Sequence, residues 1–159
     1  MTITIDTPLN DLINIPAFAS CKQMLLPPFN ALDALKVRDV YRLLPYHSNI
    51  PPEDVAQCLN VMLDRFQAGS IQFHPIYTDL EIQKNPRKKD VGIYHFKADA
   101  HARFGMICPG GGFQYVGSIH EGFPFAFELN KAGYPAFVFH YRGGWHLNAV
   151  EDLATCPTY

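Results

Sequence analysis

The chain has 159 residues, 48% apolar and 18% charged, the balance of a single soluble globular unit with enough apolar side chains for a core. Its 13 basic and 15 acidic residues leave a formal net charge of -2, which provides no field for binding nucleic acid or an anionic lipid surface. No run approaches the ~20 apolar residues of a membrane span, and the opening Met-Thr-Ile-Thr-Ile-Asp lacks the basic and apolar regions of a secretory signal.

Cys21, Cys58, Cys108 and Cys156 are scattered without C-x-x-C spacing, which disfavours a zinc knuckle, a redox pair or a disulfide framework and points to a reducing cytoplasm. Proline punctuates residues 1–69 (Pro8, Pro16, Pro27, Pro28, Pro45, Pro51, Pro52), which predicts several short helices rather than strands. The clearest runs from Pro51 to Gln67. Asn49 is available as a cap, Pro51 and Pro52 suit the first turn, and Glu53 and Asp54 favour the positive helix end. Val55, Leu59, Met62, Leu63 and Phe66 form one apolar stripe at helical spacing, and Ala68-Gly69 supplies the stop.

From Ser70 the pattern changes. Ile71, Phe73, Ile76 and Tyr77 predict a first strand, which Pro75 assigns to a sheet edge. Thr78 and Glu81 have capping-box spacing for a short helix closed by Asn85-Pro86, and Arg87 to Asp90 reads as a solvated turn. Val91 to Phe96 is a second strand. Phe104 to Cys108 is a third, short and continuously apolar as buried strands are. Ser118 and Glu121 again have capping-box spacing, for a helix through Phe123, Phe127 and Leu129 that Gly133 ends; Ala136 to Tyr141 is a fourth strand and Ala149 to Ala154 the start of a last helix. Strands alternating with helices predict an α/β fold with a largely parallel sheet in residues 70–159, preceded by a helical leader over residues 1–69.

Between the third strand and the following helix stand Pro109, Gly110, Gly111, Gly112 and Phe113. Three consecutive glycines carry a high conformational entropy, so they ask for a reason. One reason is a sharp turn, which usually needs a single glycine. The other is that backbone N–H groups must face inward onto negative charge, as in an anion nest or an oxyanion hole. Nucleotide phosphate is a poor match for that charge. The P-loop spacing from Gly112 to Gly117 meets Ser118 where a lysine is required, and a G-x-G-x-x-G reading from Gly110 meets Tyr115 in place of the last glycine.

The run from Cys108 to Phe113, with Ser118, Glu121-Gly122, Leu129, Gly133-Tyr134 and Phe137 to Arg142, resembles α/β-hydrolase-fold esterases and lipases, in particular bacterial esterase-like proteins whose oxyanion loop reads P-G-G-G. The resemblance covers about Tyr77 to Asp152. It implies a partial α/β-hydrolase sheet of about four strands with flanking helices, and a serine hydrolase acting on a small-molecule carboxylic ester. Gly111 and Gly112 would supply the oxyanion-hole N–H groups, Gly110 the freedom of the loop, and Phe113 a substrate contact. No cofactor is implied. In that family the nucleophile sits in a G-x-S-x-G elbow on the next strand, and no such elbow occurs here. The expectation is therefore a chain truncated before its nucleophile, inactive by itself, with a bare strand edge prone to self-association. The alternative, from another class, is a noncatalytic module that uses Gly110 to Gly112 to bind a small anion.

Other candidates have plainer readings. Ser118 is expected to be a helix cap rather than part of a local triad with His120 and Glu121, and Cys108 a packed, inert thiol. His47, His74, His95, His101, His120, His140 and His146 include no helical metal-binding pair, so no metal is expected. Arg142 reads as a structural ion-pair partner rather than a holder of a carboxylate near the site, and Phe123, Phe125, Phe127, Phe137 and Phe139 read as core rather than acyl-pocket wall.

Overall fold

In a computed structural model of the protein, residues 2–21, 25–26, 34–43, 50–98, 103–144 and 147–156 are described. The leader forms short pieces, as its prolines require: α1 (Leu9–Leu12), 3-10 turns over Pro16–Cys21 and Val37–Leu43, then the long α2 (Pro52–Gln67). Pro52 occupies the first turn of α2 with Glu53 and Asp54, while Asn49 lies outside the described residues. Val55, Leu59, Met62 and Leu63 are buried, and Phe66 packs edge-on against the rings of Phe18 and Tyr94. Asn60 ties the amino-terminal segment to this helix through Ile3, whose N–H donates to Asn60 Oδ1 at 2.8 Å.

Four strands follow: β1 (Ile71–Pro75), β2 (Gly92–Phe96), β3 (Gly105–Ile107) and β4 (Ala136–His140). Helix α3 (Asp79–Lys84) bridges β1 and β2, and Thr78 and Glu81 make the expected capping box in both directions. A single π turn (Ser118–Gly122) leads into α4 (Phe123–Lys131), and α5 (Asn148–Thr155) follows β4. Gly133, at φ +87°, follows the end of α4.

The strand order is β1-β2-β4-β3. β1 is an edge strand, as Pro75 predicts. The expectation of a largely parallel sheet is corrected: β1 pairs antiparallel with β2, β2 antiparallel with β4, and only β3 with β4 runs parallel. The reason lies in the connections. Only between β3 and β4 does a helix, α4, cross over to return the chain in the same direction, which parallel pairing requires.

Alternation along the strands divides two apolar layers. Tyr94, Phe96, Ala136 and Val138 face the larger core, shared with α4 and with leader residues such as Leu12, Val40, Leu59 and Met62. Ile93 and Phe139 face a smaller cluster with Val116, Tyr141 and Ala149 of α5. The expectation that β3 is buried is also corrected. Phe104 and Met106 are exposed, at 62% and 46%, because β3 is the outer strand and has a neighbour on one side only. Among the described residues no helix is long and apolar enough to cross a membrane.

Candidate functional site: the glycine loop

Because β3 and β4 are parallel, the segments that follow them, from Cys108 and from Tyr141, leave the same end of the sheet. The carboxyl ends of parallel strands are where open α/β sheets bind ligands. The two segments grip one another there. Gly144 N–H donates to Phe113 O at 2.6 Å, and the Tyr141 hydroxyl donates to Pro109 O at 2.5 Å. A Cβ on Gly143 would stand 2.6 Å from Gln114 O, so the approach requires glycine.

The glycine loop is held internally as well. Gly110 N–H donates to Glu121 Oε2 at 2.6 Å, Gly117 N–H to Gly110 O at 2.8 Å, and Gln114 N–H to Gly111 O at 2.9 Å. Three successive residues have positive φ: Gly111 at 141°, Gly112 at 57° and Phe113 at 59°. A Cβ on Gly111 would lie 2.1 Å from Tyr115 O, which no side chain tolerates. Phe113 adopts the left-handed region without a glycine's freedom, a strain that accumulates at functional sites.

Among the described residues, the N–H groups of Gly111, Gly112 and Phe113 have no protein acceptor. Gly112 and Phe113 border a cavity of about 280 Å³ lined also by Gly144, Leu147, Ala149 and Val150. The loop thus offers unpaired donors beside a small, largely apolar hollow, an arrangement suited to an oxygen that carries or gains negative charge next to an apolar group.

No family model, curated protein or solved structure matches this chain. The site therefore rests on its own geometry.

The residues expected in the site separate into two groups. Gly112 and Phe113 border the cavity and Gly111 precedes them in the loop without lining it, while Gly110 has its N–H engaged by Glu121. Ser118 is not a helix cap: the turn is capped at Gly117 without a side-chain bond, and Ser118 Oγ lies 2.7 Å from His140 Nε2 with both residues fully buried. The cap is lost because the turn is π rather than α, with Gly122 N–H reaching back to Gly117 O at 3.0 Å. Glu121 lies near Ser118 in sequence, yet its carboxylate serves the glycine loop.

Burial pushes the His140 imidazole down to about 3 and that of His120 down to about 4, so both are neutral near pH 7. Among the described residues, His140 Nδ1 and both ring nitrogens of His120 have no hydrogen-bond partner. Cys108 is exposed rather than packed, another result of the open β3 edge, and partial desolvation raises its thiol pKa, which disfavours the nucleophilic thiolate.

Arg142 is a buried ion-pair partner, with its NH2 group 2.6 Å from Asp152 Oδ1 and 2.7 Å from Glu151 Oε2. Of the five phenylalanines read as core, Phe123, Phe127 and Phe139 are buried and Phe137 is half-buried. Phe125 is 53% exposed. His47, His101 and His146 lie outside the described residues. Among the described residues no group of three His, Cys, Asp or Glu side chains is placed to hold a metal ion.

Sequence reasoning missed the clamp from Glu121 to Gly110, the contact of Gly144 with Phe113, and the Ser118–His140 pair. The doublet Gly143-Gly144 was a usable signal, since two glycines after a strand mark a close backbone approach. The pairings across 11 and 22 residues left no local mark.

Proposed function

We propose that the glycine loop is the oxyanion-binding element of a carboxylic-ester hydrolase of the α/β-hydrolase type. Gly111 and Gly112 N–H groups receive the carbonyl oxygen, and Phe113 and the adjoining cavity receive the acyl chain. The observation that carries this reading is that the consecutive N–H groups of Gly111 and Gly112 have no acceptor among the described residues, and that Gly112 borders that cavity. As an acyl carbonyl is attacked its oxygen gains charge, and preset donors stabilise that charge without reorganising. A donor of this kind lowers the barrier by about 3 kcal/mol.

This chain holds no G-x-S-x-G elbow, and Ser118 is buried on His140. Its share of the reaction is to bind and polarise the carbonyl, and we expect no hydrolysis from it alone. The test uses methyl butyrate added to the ¹⁵N-labelled chain. The Gly111 and Gly112 amide resonances should move, and Gly112→Val, a β-branched side chain at φ +57°, should abolish the response. Resonances that stay still would refute the reading. Nitrophenol release from 4-nitrophenyl butyrate, lost in Gly112→Val, would refute the lack of hydrolysis.

A second reading, a noncatalytic module for small anions, is favoured by one observation: Gly110 N–H already holds a carboxylate. Butyrate binding more tightly than methyl butyrate would support it.

A further inference from the structure

The half-buried Glu121 carboxylate touches the solvent-exposed glycine loop. Its Oε2 accepts from Gly110 N–H at 2.6 Å and would lie 3.0 Å from a Cβ placed on Gly110. Consecutive residues are 3.8 Å apart at most along the backbone, so the Gly111 N–H lies within about 6 Å of this oxygen. That is inside the ~8 Å over which physiological salt screens charge. Of two arginines at this end of the sheet, Arg142 is paired with Asp152 and Glu151, while Arg87 donates to the neutral Gly143 O at 2.8 Å; among the described residues Glu121 is the charged side chain bonded to the glycine loop itself.

Resting on the oxyanion reading above, we propose that Glu121 is a specificity-determining residue: its carboxylate, fixed on Gly110, disfavours ligands that arrive already charged and reserves Gly111 and Gly112 for the carbonyl oxygen of a neutral acyl compound. A neutral ester enters without meeting Coulomb repulsion. Charge that develops on its oxygen during attack is held directly by the two N–H donors at ~3 Å, whereas a ligand carboxylate spreads its charge over two oxygens and only one of them can take that place. The carboxylate product of ester hydrolysis carries a full charge and is repelled, which favours its departure. The same fixed charge that holds the loop in shape therefore sorts substrate from product.

The experiment compares two ligands with one acyl chain, methyl butyrate and butyrate, each titrated into the ¹⁵N-labelled full chain while the Gly111 and Gly112 resonances are followed. Glu121→Gln keeps an acceptor for Gly110 and removes the charge. The ratio of butyrate to methyl butyrate affinity should rise about threefold to tenfold, the range expected for one partly screened like charge at this distance. An unchanged ratio, with methyl butyrate still moving both resonances, overturns the proposal and leaves the oxyanion reading standing. Failure of methyl butyrate to move either resonance in the native chain overturns both. Should Glu121→Gln not fold, salt supplies the measurement on the native chain: screening a repulsion strengthens butyrate binding as ionic strength rises, and weaker binding would overturn the proposal.

Discussion

Ser118 Oγ and His140 Nε2 meet at 2.7 Å in the interior, one from the π turn and the other from the last residue of β4. The imidazole lies among the rings of Tyr94 and Phe123, and the hydroxyl is its one hydrogen-bond partner among the described residues. Ser118→Ala leaves the imidazole with none and should destabilise the protein by about 1–3 kcal/mol. Urea unfolding checks this. Because the pair is sealed from solvent, a fluorophosphonate probe should not label Ser118 in the folded chain, and labelling there would contradict the burial.

Acid should weaken the fold before ordinary carboxylates titrate. The folded-state values of His140 and His120, about 3 and about 4, lie below the 6.5 of a free imidazole, both through desolvation. Protons then bind the unfolded state preferentially, so the contribution is complete above pH 6.5 and declines as pH falls toward 4 and 3. Between pH 7 and pH 5 unfolding free energy should fall by about 2–4 kcal/mol, at ~1.4 kcal/mol per unit for each histidine. Denaturant melts at the two pH values test it, and a flat profile would show that these imidazoles are solvated.

Arg142 and Asp152 are both buried, and Asp152 also accepts from the Tyr77 hydroxyl and the Arg142 backbone N–H. Asp152→Ala leaves the buried guanidinium with only the half-exposed Glu151 as counter-charge and should cost about 3 kcal/mol. Replacing both residues, as in Arg142→Met with Asp152→Leu, should cost less than the sum of the single changes. Thermal unfolding of the three variants measures the coupling.

At Phe113 stability and binding should oppose one another. Its φ of 59° strains a side chain that is 59% exposed, so Phe113→Gly relieves strain while losing little burial. A gain of about 0.5–1 kcal/mol is expected after the added chain entropy of glycine is counted. The same change removes a wall of the cavity and should weaken the methyl butyrate response. A loss of stability would show that the ring packs where the structure leaves it exposed.

The outer edge of β3 presents Phe104, Met106 and Cys108 to solvent. Exposed apolar edges recruit further strands, so the native chain should self-associate with rising concentration and Met106→Lys should suppress this. Light scattering across a concentration series decides between the two outcomes.

Features built from near neighbours were legible in the sequence. The capping box of Thr78 and Glu81, the apolar stripe of α2, the edge position of β1 and the place of the glycine loop between β3 and a helix all follow from residues a few positions apart. Ser118 and Glu121 show where that logic fails. They have the same spacing as Thr78 and Glu81, yet Ser118 turns inward to the buried His140 and Glu121 reaches Gly110, because the fold brought each a partner distant in sequence that replaces the local cap.

By itself, then, the sequence determined the kinds of elements, their rough limits and the presence of a glycine segment, since backbone stereochemistry and helical or strand period act over one or two turns of chain. Only the tertiary structure decided the strand directions, the exposure of β3, the neutral buried histidines and which glycine N–H groups stay unpaired. Each of these depends on what a distant segment brings within a few ångströms, and hydrogen bonding and desolvation respond to that contact rather than to the order of residues.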